Sequence, residues 1–573
     1  MSSDYWHKLQ RRLVSRRSVL KTGAASGIGA AAATLIGCGG GDDKSAGSAA
    51  SGEESAPGAA AIPSLGTPKP GGIMQLTDSV VPTHHSPYHS GNEASIIRPF
   101  WQTFYDVLWT KKASGDNPLV MQFADSVEQV DATHVTVKLK KGVTFHNLPP
   151  VNGREVTAED VVQDIQFIQD TKNNATLNNA FIRGDLDGPP TAIDAYTLSF
   201  KSKGPRAYFF DTDQVAVSIV PKEMLNESTL RQSTQVGSGP WQFKAESQGS
   251  TYEAQRFPNY RIKGKPFLDG IKETIIPDKA SQEAAFRSGQ VYQYGFTDVR
   301  NRDSVIKDLS KQIYVYTTRG LGNVGLVLNM FRKEFQDVRV REAIWRSIDR
   351  QRLINIVGFG DGSLSGYFPY IYDFSLPAKD AEANQVLDQT KAKQLLTAAA
   401  FPTDKQFDMP LPVEAQFYVD AGRLMAEDMG KVGIKLNLNP ITRTIYIQKV
   451  GSEPGDFDIS MWPFQGTNVR QQFRIFHSKE GSFQESLSLN DSEIDALIEK
   501  SEQTLDHKAF VEVAQQIQRL MFQKFSNWVP TYSSSSHTGY WAFVRGVEFG
   551  DQYVPSASGG HVYQLDRWLD KTS

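Results

Sequence analysis

His134-Val135-Thr136-Val137-Lys138-Leu139-Lys140-Lys141-Gly142-Val143-Thr144-Phe145-His146, followed by Val156-Thr157-Ala158-Glu159-Asp160-Val161, decides how this chain folds. Val135, Val137 and Leu139 alternate with polar residues, which is the period of a strand with one buried face. Thr157-Ala158-Glu159-Asp160 then has the spacing of a capping box, so a helix carrying Val161, Ile165 and Ile168 is expected to start there. A strand feeding a helix is the unit from which α/β proteins are built, and the pattern recurs along the chain.

Upstream, Ile73 to Thr77 alternates as a strand, and Ile96, Ile97, Phe100, Phe104 and Leu108 fall near helical spacing. Downstream, Gly237-Ser238-Gly239-Pro240 marks a turn and Tyr252 to Gln255 a short strand. Gly325 to Met330 reads as a buried strand, and Asp337 is placed to cap a helix whose inner face carries Val340, Ile344 and Ile348. Leu424 to Met429 reads as helix, stopping at Gly430 to Gly433 before a strand with Ile434, Leu436 and Leu438 inward. Val511, Ala514, Ile517, Leu520 and Met521 mark a last helix. Interleaving of this kind predicts an α/β architecture, and no internal repeat of fixed period is present.

The N-terminal region has a different logic. Ser15-Arg16-Arg17-Ser18-Val19-Leu20-Lys21 precedes an uncharged, alanine-rich run that ends at Leu35-Ile36-Gly37-Cys38. A twin arginine, a short apolar stretch and small residues at a processing point have the form of an export signal, and roughly 15 residues fall short of the about 20 that span a bilayer. Leu-Ile-Gly-Cys resembles a lipobox, which would make Cys38 the lipidated first residue of the mature protein. The alternative is a plain signal peptide with an incidental cysteine; Cys38 is the only cysteine, so no internal disulfide can form. Residues 1–37 are therefore assigned as twin-arginine lipoprotein signal. Residues 38–69, rich in Gly, Ala, Ser and Pro, are assigned as a flexible linker with too little apolar mass for a core.

With 61 basic and 64 acidic residues, the chain carries no electrostatic footprint for nucleic acid. Catalytic motifs fail in context. Gly320-Leu321-Gly322-Asn323-Val324-Gly325 fits a dinucleotide pattern but leads into a strand, so no helix N-terminus awaits a pyrophosphate. Gly237-Ser238-Gly239 lacks the spacing of a nucleophile elbow, and there is no P-loop.

Several of these segments, in this order, resemble the extracytoplasmic solute-binding proteins of ABC importers, the dipeptide-, oligopeptide- and nickel-binding family (family 5). The resemblance rests on Lys138 to His146 with Val156 to Val161; on Val236-Gly237-Ser238-Gly239-Pro240-Trp241 with Asn259-Tyr260 and Gly264 to Asp269; and on Leu328-Asn329-Met330 with Phe335 to Ile344 and Ile348-Asp349-Arg350. Lys391 to Leu396, Met425 to Ile434 and Asp456-Phe457-Asp458-Ile459 fit later elements of that family. The resemblance implies a two-lobed, periplasmic-binding-protein-like type II fold with an extra small domain in lobe one. Lobe one is placed at 70–321 with the extra domain at about 111–235, lobe two at 322–527, and the return to lobe one at 528–573. It further implies a non-catalytic receptor without cofactor. That receptor would hold a peptide, peptide-like or sugar-like solute between the lobes, deliver it to ABC permease subunits, and sit on the periplasmic or cell-surface side of a membrane through the lipid on Cys38.

The loop Met461-Trp462-Pro463-Phe464-Gln465-Gly466-Thr467-Asn468-Val469-Arg470, after a strand expected to end near Ser460, should face the cleft, because α/β lobes gather ligands at strand ends. Peptide-binding relatives generally place an aspartate here for the ligand's ammonium, whereas this chain has no Asp or Glu between Met461 and Glu480. Trp462 and Phe464 either stack on a ring of the ligand or serve as core; Gln465, Asn468 and Arg470 are candidates for hydroxyls or a carboxylate, with Arg470 equally readable as a surface charge. Asn329 and Tyr367 join the candidate ligand contacts, Tyr367 as part of an aromatic loop with Phe368, Tyr370 and Tyr372. His84 and His85 are candidates in the loop Thr83 to His89. The rival reading makes His84, His85 and His89 the metal ligands of an exported metal-dependent enzyme or metal-binding protein, although no cysteine or acidic pair completes that site. A ligand-sensing protein coupled to a signalling receptor is a third reading. Asp337 and the Thr157–Asp160 pair are expected to be caps, and His146 structural.

Overall fold

The computed structural model describes residues 56–571 except 65, 80–86, 89–108, 112–118, 174–178, 206–217, 227–234, 248, 369–371, 414–415, 452–454, 466–468, 480–488 and 548–564. In the first half, β1 (Ile73–Asp78) pairs in parallel with β8 (Gly270–Ile275), which continues antiparallel through β7 (Thr251–Arg256) to β6 (Trp241–Ser247). A separate antiparallel sheet, the small subdomain, has the order β2 (Ala124–Gln129), β3 (His134–Leu139), β5 (Thr197–Lys201), β4 (Thr191–Asp194). Its buried face takes Val135, Val137 and Leu139 as the alternation predicts, and it is accompanied by α1 (Ala158–Gln169) and the short α2 (Asn179–Gly184).

The α1 cap explains why the motif is built as it is. Asp160 is fully buried and accepts from the Thr157 amide at 3.0 Å, while Arg154 forks onto both its oxygens at 2.9 and 2.6 Å. A buried carboxylate is tolerated only when paired and hydrogen-bonded, and here the cap and the arginine supply both. One turn on, Asp164 accepts from the Val220 amide and from the Tyr88 hydroxyl, and burial raises its carboxyl well above the ordinary range.

After α3 (Lys279–Arg287), β9 (Gln293–Gly295) and α4 (Val299–Leu309) comes β10 (Ile313–Leu328), a strand of 16 residues where the sequence pattern marks only the last part. Its antiparallel partner is β15 (Trp528–Trp541), which returns near the C-terminus. The register between the two shifts at Thr318/Gly322, so one pair of strands serves both halves with an irregularity between them. Beside that break His537 meets Thr317 Oγ1 at 2.9 Å and Asp361 Oδ2 at 2.6 Å.

The second half begins with α5 (Val338–Ser347), capped by Asp337 onto the Arg339 amide at 2.9 Å as expected, then α6 (Arg350–Ile356) and β11 (Gly362–Leu364), which adds to β15. It continues with α7 (Gln389–Ala398), β12 (Gln406–Pro412), α8 (Gln416–Gly430), β13 (Lys435–Ile441), α9 (Arg443–Gly451), β14 (Ile459–Gln465), α10 (Val469–Arg474), α11 (Ser492–Gln503) and α12 (His507–Gln523). A single core runs from Leu326 through Trp345, Met409, Met425, Ile459 and Ile517 to Trp528. Its α12 face is rotated slightly from the sequence reading, because Val511 and Leu520 are only partly buried while Phe510, Val513 and Phe522 go inside.

The structure also differs from the linker assignment of 38–69. Ala59 is buried against a small core with Phe286, Ile306 and Ile313; the Ala60 amide donates to the Ile313 carbonyl at 2.7 Å; and Lys69 pairs with Asp570 at 2.6 Å. Small residues that look like linker in sequence fit here precisely because they are small enough to lie on a packed surface. The helix expected from Ile96 to Leu108 lies outside the described residues.

Candidate functional site

β12 and β13 are parallel, and the start of β12 is tied to the start of β14 by the Asp408 amide on Asp458 Oδ2 at 2.8 Å and the Asp458 amide on the Asp408 carbonyl at 3.2 Å. Three strands thus end at one edge, near Pro412, Ile441 and Gln465, with α8 and α9 beginning beside the first two. β14 runs further than the sequence suggests, to Gln465, which pairs with Gly322 of β10, while Gly322 also faces Ser534 of β15. The end of β14 therefore arrives at the register break between the halves of the molecule. Strand C-termini at such a place are where α/β folds gather ligands.

Trp462 is half-buried, packed on the core and stacked on Tyr446 with centroids 6.4 Å apart and planes 16° from parallel. Its carbonyl accepts from Trp528 Nε1 at 3.2 Å. Tyr446 is held in turn by Ser460 Oγ at 3.0 Å and by the Met461 carbonyl, and burial raises its phenol above the ordinary range. Phe464 and Gln465 lie on β14 opposite Asn323 and Gly322, and Asn468 lies outside the described residues.

Three residues that the sequence reading passes over stand at the same edge. Val413, just beyond β12, is 43 % exposed, with its amide on the Ile441 carbonyl at 2.9 Å; Phe417 in the first turn of α8 is 41 % exposed and Ile445 in the first turn of α9 46 %. Tyr418 adds its ring beside Phe417, centroids 4.1 Å apart. Exposed apolar side chains at the first turns of helices that follow parallel strands carry no periodic signal, so only the assembly of the strand ends reveals them.

Other candidates are placed elsewhere. Arg470 is not a surface charge: it is buried, its Nε and Nη2 donate to the carbonyls of Ser501 and Thr504 at 2.9 and 2.8 Å, and its guanidinium lies 3.8 Å from the centroid of the Phe510 ring. It closes the carbonyl end of α11, which otherwise leaves acceptors unmatched. Arg470→Ala is accordingly expected to lower unfolding free energy by about 2 kcal/mol, the usual cost of losing charge-assisted bonds to buried carbonyls, measured by urea denaturation. Asn329 is likewise structural, bonding the Gly455 and Phe457 carbonyls at 3.2 and 2.9 Å and accepting from the Phe331 amide at 3.0 Å. Tyr367 is core, its hydroxyl on Ser526 Oγ at 2.5 Å and its ring against Phe522 and Trp528, and Phe368 and Tyr372 are buried with it. Tyr370, His84, His85, His89 and Cys38 lie outside the described residues. Among the described residues no group of three or more His, Cys, Asp or Glu is placed to hold a metal, and no helix is long and apolar enough to cross a membrane.

His146 joins two of the quoted sequence blocks. Its amide donates to the Gly237 carbonyl at 2.7 Å, its Nδ1 accepts from the Gly237 amide at 3.2 Å, and its Nε2 lies 3.0 Å from the Gly239 carbonyl. Gly320 to Gly325 lies inside β10, as the rejection of a nucleotide motif requires.

Comparison with known proteins agrees with this architecture. The oligopeptide-binding protein AppA of Bacillus subtilis (strain 168) is 24% identical over 561 residues, covering 91% of this chain and 95% of that protein. The dipeptide-binding protein of Escherichia coli (strain K12) is 25% identical over 425 residues, covering 68% of this chain and 76% of its own length. The structure of AppA from B. subtilis with a nonapeptide superposes with a TM-score of 0.70 at 21% identity, covering 88% of this chain and 100% of that one. AgaA of A. tumefaciens R10, in complex with agropinic acid, gives 0.73 at 21% identity over 88% and 99%. These likenesses establish the two-lobed type II binding-protein fold. Residues 119–481, most of the chain, match the bacterial extracellular solute-binding proteins, family 5, and the chain belongs to that family.

Proposed function

We propose that this protein is a non-catalytic receptor that takes a small peptide-like or otherwise aromatic solute between two lobes and delivers it to an ABC importer. The observation that carries the reading is the strand-end wall of Val413, Phe417, Tyr418, Ile445 and Trp462, set at the break in the strand pair shared by the two halves. The paired segments at the register break, Thr318 to Gly322 of β10 and Ser534 to Ser536 of β15, act as the hinge; Trp528, Val529 and Tyr532 lie in the core of the second half, so the return to lobe one comes after them and not at 528, and a ligand shifts the open–closed equilibrium by its preference for the closed form. The relatives support such a role: AppA is an oligopeptide-binding protein, and AgaA was captured with agropinic acid. Cys38 carries the lipid that holds the receptor on the outer side of a membrane after twin-arginine export.

The β14 loop and the segment after it lack a carboxylate between Met461 and Glu480, so no anion is supplied by that stretch for a free ammonium group, whose burial unpaired is strongly disfavoured. Ligands whose amine is capped or absent are therefore preferred. Titration calorimetry with matched pairs of free and N-acetylated aromatic di- and tripeptides is expected to favour the acetylated form, and Trp462→Ala should weaken that binding about tenfold, the worth of one stacked ring. Stronger binding of the free amine, or indifference to Trp462, would overturn the reading.

A further inference from the structure

α4 is seated in the first half through Val305, Ile306 and Leu309, and its cap Asp298 accepts from the amides of Arg300 and Asn301 at 2.8 and 3.0 Å. The loop Gly358-Phe359-Gly360-Asp361, after α6, is tied to the second half. There the amides of Gly358 and Gly360 donate to the carbonyls of the core residues Leu353 and Ile354 at 3.2 and 3.0 Å. The two pieces meet beside the register break. The Arg300 guanidinium lies 3.5 Å from the centroid of the Phe359 ring. Asp361 Oδ2 meets His537 Nε2 at 2.6 Å, its Oδ1 accepts from Ser535 Oγ at 3.1 Å, and Arg302 Nη1 lies 3.4 and 3.5 Å from the two nitrogens of the His537 ring. Burial pushes the Asp361 carboxyl up, but His537, Ser535 and Arg302 outweigh it and hold the group below the ordinary carboxylate range. Phe359 has a φ of +50°, a left-handed conformation that glycine takes freely and a bulky side chain rarely adopts. Strain of this kind persists where surrounding contacts over-determine it, and the contact made by this ring is the arginine.

The geometry points to a hinge catch, in which α4 of lobe one and the Gly358–Asp361 loop of lobe two clasp across the register break in the conformation of this structure and part when the lobes rotate. The inference rests on the two-lobe receptor reading. Thr318 to Gly322 of β10, which includes Gly320, and Ser534 to Ser536 of β15 carry the change of register, so a rotation absorbed there displaces α4 against the loop. Both arginines keep a carboxylate of their own lobe whether or not the catch is made, Arg300 with Asp298 at 3.1 Å and Arg302 with Asp303 at 2.8 Å. Parting therefore returns Phe359 and Asp361 to water and leaves no cation of lobe one without an anion. A cation over an exposed ring contributes modestly, and a carboxylate that can be rehydrated is released at modest cost. The catch thus biases the equilibrium between conformations and leaves it reversible.

The test uses the full chain with Cys38→Ser, since Cys38 is its only cysteine, and spin labels on Ile193→Cys of β4 and Val386→Cys before α7, both exposed. Pulsed dipolar spectroscopy reads the ratio of the distance found in this structure to any other, with and without N-acetylated aromatic dipeptides. Arg300→Gln and Phe359→Leu, which keeps a Cβ but loses the aromatic face, are each expected to lower that ratio about threefold, and the double variant by no more, because both act through one contact. Asp361→Asn is expected to lower it on the order of tenfold, since its bonds to Ser535 and His537 lose their charge. Thermal unfolding confirms that each variant folds, and Arg300→Gln, at an exposed side chain, carries the test if Asp361→Asn does not. If the parent shows two distances and no variant lowers the ratio, or the effects of Arg300→Gln and Phe359→Leu multiply, the catch is wrong while the receptor reading stands. If one fixed distance persists in the parent and in every variant, with and without peptide, the two-lobe receptor reading fails, and the catch with it.

Discussion

Gly325→Val is expected to cost about 3–5 kcal/mol of stability, the range seen when a large buried ring loses its packing. Gly325 lies at the centre of β10, with Trp462 of β14 on one side and Pro530 of β15 on the other. The indole of Trp528 lies directly over it, so a Cβ added there would come within 2.1 Å of Trp528 Cε2 and 2.2 Å of Cζ2, far inside van der Waals contact. That indole is fully buried, donates to the Trp462 carbonyl at 3.2 Å and packs on Tyr367, which reaches Ser526, whose carbonyl in turn accepts from Trp345 Nε1 at 3.0 Å. The ring cannot step aside without breaking this chain. Urea unfolding followed by tryptophan fluorescence reads the loss directly, and Gly325→Ala should show the same sign with a smaller size. An unchanged midpoint for the valine variant would show that the ring has room to move. Because Trp528 also fixes Trp462, solute binding should fall with stability.

The second large effect is a dependence on pH that resides in His146. Both ring nitrogens are committed, Nδ1 accepting and Nε2 donating, which only the neutral ring satisfies. Burial is the dominant cause holding its pKa down at about 4, against an ordinary value near 6.5, with the Gly239 carbonyl pulling weakly the other way. Between these values the unfolded chain binds a proton that the folded chain refuses, so stability is intact above pH 6.5, falls as pH drops toward 4, and is flat in this component below. The loss across the window is roughly 3 kcal/mol. Asp164 and Glu273, whose carboxyls burial raises, contribute with the opposite slope, so the measurement is a comparison with His146→Gln. That variant should be less stable by about 2 kcal/mol at pH 7, leaving the Gly237 and Gly239 groups imperfectly matched, yet decline less on acidification. Parallel acid profiles for the two proteins would remove His146 as the cause.

Much of this fold is legible along the chain because it is local. The Val135-Val137-Leu139 alternation gives β3, the Thr157–Asp160 box starts α1, and Asp337 starts α5, each from residues within one or two turns of one another. The site is harder to read for the converse reason. Arg470 and Asn329 are polar residues in suggestive places, but whether a guanidinium or an amide meets a ligand or a backbone carbonyl depends on where Ser501, Thr504, Gly455 and Phe457 arrive. Tyr367 looks like the rim of a cleft and is core, because Phe522 and Trp528 come to it from far along the chain. Val413, Phe417 and Ile445 look like ordinary apolar residues and stand exposed because the strands they follow end together.

By itself, then, the sequence determined the α/β class, the order of the elements, the caps and the family, since periodicity, capping and spaced blocks are properties of neighbouring residues. Tertiary structure alone decided that β10 is one long strand shared with β15 by both halves, that part of the supposed linker lies packed on the body, and that Asp185 meets Arg474. Those outcomes depend on which distant groups share a desolvated space, and a buried charge or a bare strand glycine acquires its meaning only from the partner that the fold brings to it.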